Sequence, residues 1–315
     1  MSLDPDAETL LAMIRAAGRP PFETLSPAEA RRAFAAGRAA TQPEPQDVAE
    51  VRDLSCPGPL GDIKLRVYRP LGTRADEVLP ALIYFHGGGW LLGDLDSHDA
   101  ACRHYANRAR CRVVSVDYRM APEHKFPAAV DDSAAATRWT VEQAGRLGID
   151  PARVAVGGDS AGGNLAAVLA IMARDGDLPP LAYQLLVYPA TDMAMVTRSS
   201  QTASVGILTT KTMKWFTDHY IRGPKDVSDW RASPLRAANL SGVAQALVLT
   251  CSYDPLCDEG IAYARRLERE GVRVTHLHFS DQTHGFVGQG KIIRAAHTAL
   301  DMMSAALKKA LWPPA

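Results

Sequence analysis

Residues 153–167 read RVAVGGDSAGGNLAA. A short apolar run, Val154 to Val156, meets a glycine pair. Asp159, Ser160 and Ala161 follow, then a second glycine pair and an alanine- and leucine-rich stretch. The pattern predicts a strand, a very tight turn and a helix. Ser160 stands at the apex, within Gly158-Asp159-Ser160-Ala161-Gly162, a G-x-S-x-G arrangement. A serine held there points its hydroxyl out of the fold. The backbone crowds it on both sides, so a side chain at Gly158 or Gly162 would strike the neighbouring strand or helix. The helix that begins behind Ser160 aims its first free N–H groups at the space above the hydroxyl.

Outward from this stretch, buried strands alternate with helices. Leu79 to Phe85, Val113 to Val116, Leu185 to Tyr188, Ala246 to Leu249 and Val274 to Leu277 are apolar runs of strand length. Helices are expected at His98–Arg108, Ala128–Leu147, Asp258–Arg269 and Ile292–Leu307. That alternation predicts an α/β fold with a mostly parallel sheet covered by helices on both faces. Ahead of it, Val48–Leu54 and Ile63–Tyr68 alternate around Cys56 to Gly61, as an antiparallel pair would.

Two amphipathic helices precede any strand. One covers residues 3–17, and the second opens with Ser26 as N-cap, Pro27 at the first helical position and Glu29 behind it. The segment from Ala190 to Leu240 offers no strand and one helix, about Thr209 to Ile221, which carries Trp215, Phe216 and Tyr220. The expected organisation is a core of residues 46–189 and 241–315, with the N-terminal helices (1–45) and an insertion (190–240) outside it.

The bulk properties narrow the classes of function. The chain has 315 residues, 47% of them hydrophobic, enough for a substantial core. Lys+Arg and Asp+Glu both number 35, so no net charge favours nucleic acid or an anionic membrane. Five cysteines without a C-x-x-C pair fit reduced thiols better than a disulfide framework or a zinc site. No apolar run approaches the roughly 18 residues that span a bilayer. The expectation is a soluble, cytoplasmic protein with no nucleic-acid partner and no membrane span.

A serine hydroxyl is a weak nucleophile near neutral pH and needs a base, and the base needs a third group to orient it. Of nine histidines, His284 lies in Thr283-His284-Gly285-Phe286, in a loop after the last expected strand. Open α/β sheets place their ligand sites at that edge. Asp254 also directly follows a buried strand, and Asp258 is the better candidate to cap the helix that comes next, which leaves Asp254 free to orient His284. The order Ser160, Asp254, His284 is that of an α/β-hydrolase arrangement.

The run His86-Gly87-Gly88-Gly89-Trp90 follows the strand ending at Phe85. Successive glycines let backbone N–H groups approach a developing negative charge. His86 is expected to fix this loop by hydrogen bonding rather than to act as a second base. His276 and His278 share a strand face, but nothing at ligand spacing completes a metal set.

Taken together, the sequence resembles the hormone-sensitive-lipase-like family of microbial esterases, a branch of the α/β-hydrolases. The matching pieces are HGGGW at 86–90, DYRMAPEHKFPAAVDD at 117–132, GDSAGGN at 158–164, DPLCDEG at 254–260 and HGF at 284–286. Cys257 departs from the family, which often carries arginine there. The resemblance implies an eight-stranded core, a helical cap made of the N-terminal helices and the insertion, and hydrolysis of short- to medium-chain acyl esters without a cofactor or metal. It implies Ser160 as nucleophile, His284 as base, Asp254 as orienting acid, and the N–H groups of Gly88, Gly89 and Ala161 as the oxyanion hole. Trp90, Phe286 and Trp215 are the expected pocket side chains. The partner is then a small-molecule ester, and an edge strand leaves room for a homodimer. Two alternatives stand beside this reading: an amide, lactone or aryl ester as substrate of the same residues, and a non-catalytic ligand-binding relative on the same scaffold.

Overall fold

The computed structural model describes residues 2–313. The expected segment ends at residues 1 and 315 fall outside them. Eight strands form one sheet: β1 (Glu50–Gly58), β2 (Gly61–Arg69), β3 (Leu79–Phe85), β4 (Arg112–Asp117), β5 (Ile149–Asp159), β6 (Tyr183–Val187), β7 (Ala246–Tyr253) and β8 (Val274–Thr283). Their spatial order is β1-β2-β4-β3-β5-β6-β7-β8. β2 runs antiparallel to both neighbours, and every pairing from β4 to β8 is parallel. The sheet is mostly parallel, as the alternation of strands and helices predicted, and its eight strands are those the α/β-hydrolase resemblance implied.

Period-two alternation of side chains divides the interior in two. Ala81, Ile83 and Phe85 of β3, with Val114, Val116, Val154 and Val156, face one cluster. That cluster is closed by α4 (Ala128–Glu142), α6 (Ala161–Arg174) and α10 (Cys257–Arg269). Leu82 and Tyr84, with Val113, Ala155, Leu185 and Leu247, face the other. It is closed by α3 (Asp99–Ala109), α11 (Ala295–Leu311) and Ala7 and Leu10 of α1 (Pro5–Ala16). A strand such as β3, buried at every residue, is therefore apolar throughout.

The N-terminal helices obey their local signals. Asp4 accepts from the backbone N–H of Asp6 at 2.7 Å and caps α1. Ser26 and Glu29 form a reciprocal capping box at the start of α2 (Pro27–Thr41). Tertiary bonds then carry α2 to the core. Arg31 of α2 donates to the carbonyl oxygens of Leu91 and Ala121 at 2.9 and 2.8 Å and pairs with Glu123.

Several boundaries differ from expectation. β1 takes in Cys56 to Gly58, which the sequence reading assigned to the turn, and Pro57 is tolerated because β1 is an edge strand. The helix expected over Ala128–Leu147 breaks at Gln143, and α5 (Ala144–Leu147) ends on Gly148 in the left-handed region, φ 63°. The segment 190–240 holds no strand, but its single expected helix is α8 (Thr210–Tyr220) flanked by short helices α7 (Arg198–Thr202) and α9 (Pro224–Ser228). Asp258 does not cap α10. It sits inside the helix, where its carboxylate accepts from the N–H of Ser199, at the start of α7, at 2.8 Å.

Candidate active site

The turn between β5 and α6 holds Ser160 at φ 55° and ψ −115°, a conformation that a non-glycine residue adopts only when its surroundings enforce it. The enforcement is steric and hydrogen-bonded. A Cβ at Gly158 or Gly162 would collide with the carbonyl oxygen of Phe85, at the end of the neighbouring β3. Ser160 donates its N–H to Val187 at 2.9 Å, and its carbonyl accepts from Asn164 at 3.0 Å. The Asn164 side-chain amide donates to the carbonyls of Ala190 and Ala232 at 2.9 and 2.8 Å, which ties the segment after β6 to the helix behind the serine.

Two further strand ends complete the cluster. Asp254 follows β7 and is 2% exposed; its Oδ1 accepts from the N–H of Leu256 at 2.8 Å, which fixes the carboxylate plane. His284 follows β8, and Gly285 beside it takes φ 79°. The Nδ1 of His284 lies 2.8 Å from Asp254 Oδ2, and its Nε2 lies 3.0 Å from Ser160 Oγ. Because the carboxylate can only accept, Nδ1 carries the hydrogen, and Nε2 presents its lone pair to the serine. The Tyr188 ring packs 4.7 Å from the imidazole and limits its swing. Three loops that the sequence reading singled out separately thus converge at the carboxyl edge of the sheet.

The glycine loop after β3 lies beside them. Gly88, Gly89 and Trp90 have φ of 118°, 61° and 59°. Among the described residues, the N–H groups of Gly88, Gly89 and Ala161 donate to no protein group. His86 is fully buried, donates from Nδ1 to the Gly87 carbonyl at 2.9 Å, and stacks on Tyr118 at 4.4 Å. Burial, with His98 nearby, pulls its pKa down to about 4, so the ring is neutral near pH 7. Beneath, Asp132 is fully buried and accepts three hydrogen bonds from Arg119, of 2.9, 2.7 and 2.6 Å, which pins the 117–132 stretch.

A cavity of about 250 Å³ opens over Ser160 and His284. Of the three expected pocket side chains, Trp90 lies on its wall, 3% exposed and stacked on Tyr220 at 4.2 Å. Trp215 and Phe286 do not line it. Trp215 packs edge-on against Phe216, and it is Phe216 that covers Gly89. Phe286 is buried beneath the site between Tyr188 and Phe279. Phe22, Phe34 and Met213 supply more of the apolar wall and were missed. Helical spacing held a usable signal, because Met213 and Phe216 are three residues apart on the buried face of α8.

The two histidines on β8 are engaged elsewhere. His276 and His278 both contact the Thr250 hydroxyl, each at 2.8 Å. Among the described residues, no group of three or more His, Cys, Asp or Glu side chains is arranged to hold a metal ion. No described helix is long and apolar enough to cross a membrane.

Sheet order, strained serine turn and serine–histidine–aspartate chain together describe an α/β-hydrolase. A family profile described as the alpha/beta hydrolase fold matches residues 82–288, and the chain belongs to that family. The chain is 45% identical to the carboxylic ester hydrolase LipN of Mycobacterium tuberculosis, across 91% of this chain and 77% of that one. It is 40% identical to the ethyl acetate hydrolase of Pseudomonas putida, across 99% and 100%. Among solved structures, an ester-hydrolase from the metagenome of Lake Arreo superposes with a TM-score of 0.94 at 42% identity, covering 97% of this chain and 98% of that one.

Proposed function

We propose that this carboxylic ester hydrolase cleaves short- to medium-chain acyl esters through a covalent acyl-enzyme on Ser160. Ser160 Oγ attacks the ester carbonyl carbon while His284 Nε2 takes its proton. Asp254 holds the imidazole in the required tautomer and stabilises its charged form. The carbonyl oxygen becomes an oxyanion, held by the N–H groups of Gly88, Gly89 and Ala161. Collapse breaks the bond to the alcohol, which leaves with the proton from His284. Water then attacks the acyl carbon, gives its proton to His284, and the acid departs as Ser160 regains its hydrogen.

The observation that carries this reading is the unbroken chain from Ser160 Oγ through His284 to Asp254, at 3.0 and 2.8 Å, opening into a mostly apolar cavity. The modest cavity volume favours acyl chains well below those of storage fats. We read residues 1–45 and 190–240 as the cap that supplies the cavity wall, through Phe22 and Phe34 from one and Met213 and Phe216 from the other. Five free, buried cysteines fit a reducing, cytoplasmic setting. β8 ends the sheet and offers an edge to a second copy. A chain-length series of p-nitrophenyl esters, measured on the wild type and on Ser160→Ala, tests the reading. It requires a maximum at short or medium chains and loss of turnover across the whole series in the variant.

A further inference from the structure

We propose that His98 and Asp159 form a positioning pair that holds the Gly87–Gly89 loop where it can donate to the oxyanion. The inference rests on the acyl-enzyme reading above and adds to it a second histidine–carboxylate couple with a different task.

Asp159 occupies the position between β5 and Ser160. Its Oδ1 collects three donors: the Tyr84 hydroxyl at 2.8 Å, the Gly87 N–H at 3.0 Å and His98 Nε2 at 3.0 Å. The Gly87 backbone rests directly on this carboxyl group, since a Cβ there would strike Oδ2 and lie 3.0 Å from Cγ. One carboxylate thus joins the end of β3, the glycine loop and the residue next to the serine. Nothing else among the described hydrogen bonds links the Gly87 N–H so closely to the serine turn.

A largely buried carboxylate needs hydrogen-bond donors. His98 is held in place to supply one of them. The Ser97 hydroxyl gives its own proton to the Asp94 carbonyl at 2.7 Å and accepts from the Asp94 N–H at 2.8 Å. The same hydroxyl lies 2.9 Å from His98 Nδ1 and so anchors the ring from its far side. At the other nitrogen, the Gly87 N–H lies 3.4 Å away but points to the nearer carboxylate at 3.0 Å. A bare Nε2 lone pair set 3.0 Å from Asp159 Oδ1 would repel it, so Nε2 carries the hydrogen and donates. The contact is a hydrogen bond from the His98 ring to the carboxylate. Burial pushes the Asp159 carboxyl up, but the charge and hydrogen bond of His98 and the bond from Tyr84 outweigh burial and hold it below its ordinary value.

The pair does not take part in bond making. Its effect falls on the placement of backbone donors, which matter only once the carbonyl oxygen has become anionic. Loss of the pair therefore lowers kcat and leaves KM nearly unchanged.

The test compares His98→Leu, His98→Gln and Tyr84→Phe with the wild type and Ser160→Ala. Hydrolysis of p-nitrophenyl butyrate is measured alongside inhibition by an alkyl trifluoromethyl ketone, which forms an oxyanion on the serine. We expect His98→Leu to lower kcat about 10- to 100-fold, with inhibitor affinity falling by a matching factor and KM within about twofold. His98→Gln, whose amide can still donate to Asp159, recovers most of that loss. Tyr84→Phe shows a smaller loss with the same split and keeps the test open if His98→Leu does not fold. Unchanged kcat in His98→Leu, a rise in KM alone, or inhibitor binding that does not follow kcat overturns the proposal. Full activity in Ser160→Ala instead overturns the acyl-enzyme reading itself, so the two failures are distinguishable.

Discussion

The Nε2 of His284 lies 3.0 Å from the Oγ of Ser160, although 124 residues separate them in the chain. Each is held by a different loop at the carboxyl edge of the same sheet. The distance is short enough for direct proton transfer once a carbonyl carbon approaches the hydroxyl.

Asp254→Asn tests the third member. The asparagine preserves shape but offers Nδ1 of His284 an amide in place of a purely accepting carboxylate, and the imidazole settles in the wrong tautomer. We expect kcat to fall by about four orders of magnitude with little change in KM. Steady-state kinetics on p-nitrophenyl butyrate give both numbers, and a loss below about tenfold would remove Asp254 from the mechanism.

Gly162→Ala tests the strained turn. The added methyl group meets the Phe85 carbonyl oxygen, which cannot yield without moving β3. The expected cost is about 3 kcal/mol or more, read as a lowered denaturation midpoint. Equal stability to the wild type would mean that the turn has slack that the close approach denies.

Phe216→Ala tests the wall of the cavity. Removing this ring uncovers Gly89 and lengthens the apolar space above Ser160. The optimum acyl chain should shift upward by two or more carbons, which a rate profile from acetate to laurate would register. An unchanged profile would place the acyl chain elsewhere.

Glu259 gives a prediction about pH. It is fully buried; Oε1 accepts from the N–H groups of Thr191 and Asp192, and Oε2 has no hydrogen-bond partner among the described residues. Burial above all pushes its pKa up from 4.5 to about 8. The unfolded chain releases this proton near pH 4.5 and the folded one near 8, so stability is lost as pH rises across that window. Glu259→Gln keeps the accepting oxygen and has no proton to lose. Its Tm relative to the wild type should improve steadily from pH 5 to pH 8, and a difference that is flat with pH would reject the assignment.

Much of this site could be read from local chemistry. The serine turn needs glycines at fixed offsets, the loop after β3 carries three successive glycines, and Asp254 and His284 each directly follow a buried apolar strand. β3 was legible to the residue because it is apolar from end to end. What stayed hidden depends on long-range packing. Trp215 and Phe216 are adjacent aromatics on one helix, and only the angle at which α8 meets the core decides that Phe216 turns inward. Phe286 looks like a pocket residue beside His284, yet the left-handed Gly285 sends it beneath the site. The tie between His98 and Asp159 spans 61 positions and has no periodic signature. Asp258 was misread because an aspartate before a helix is a common cap, whereas the cap that it provides serves another helix.

The most direct test of the central claim is covalent. Wild type and Ser160→Ala are treated with a p-nitrophenyl alkylphosphonate, and the products are mapped by peptide mass while esterase turnover is followed. The account predicts one phosphonyl group, on Ser160 alone, with activity lost in step with labelling. It also predicts no adduct on Ser160→Ala and turnover lower by at least about four orders of magnitude. An adduct on another residue that abolishes activity, or wild-type turnover in Ser160→Ala, would contradict it.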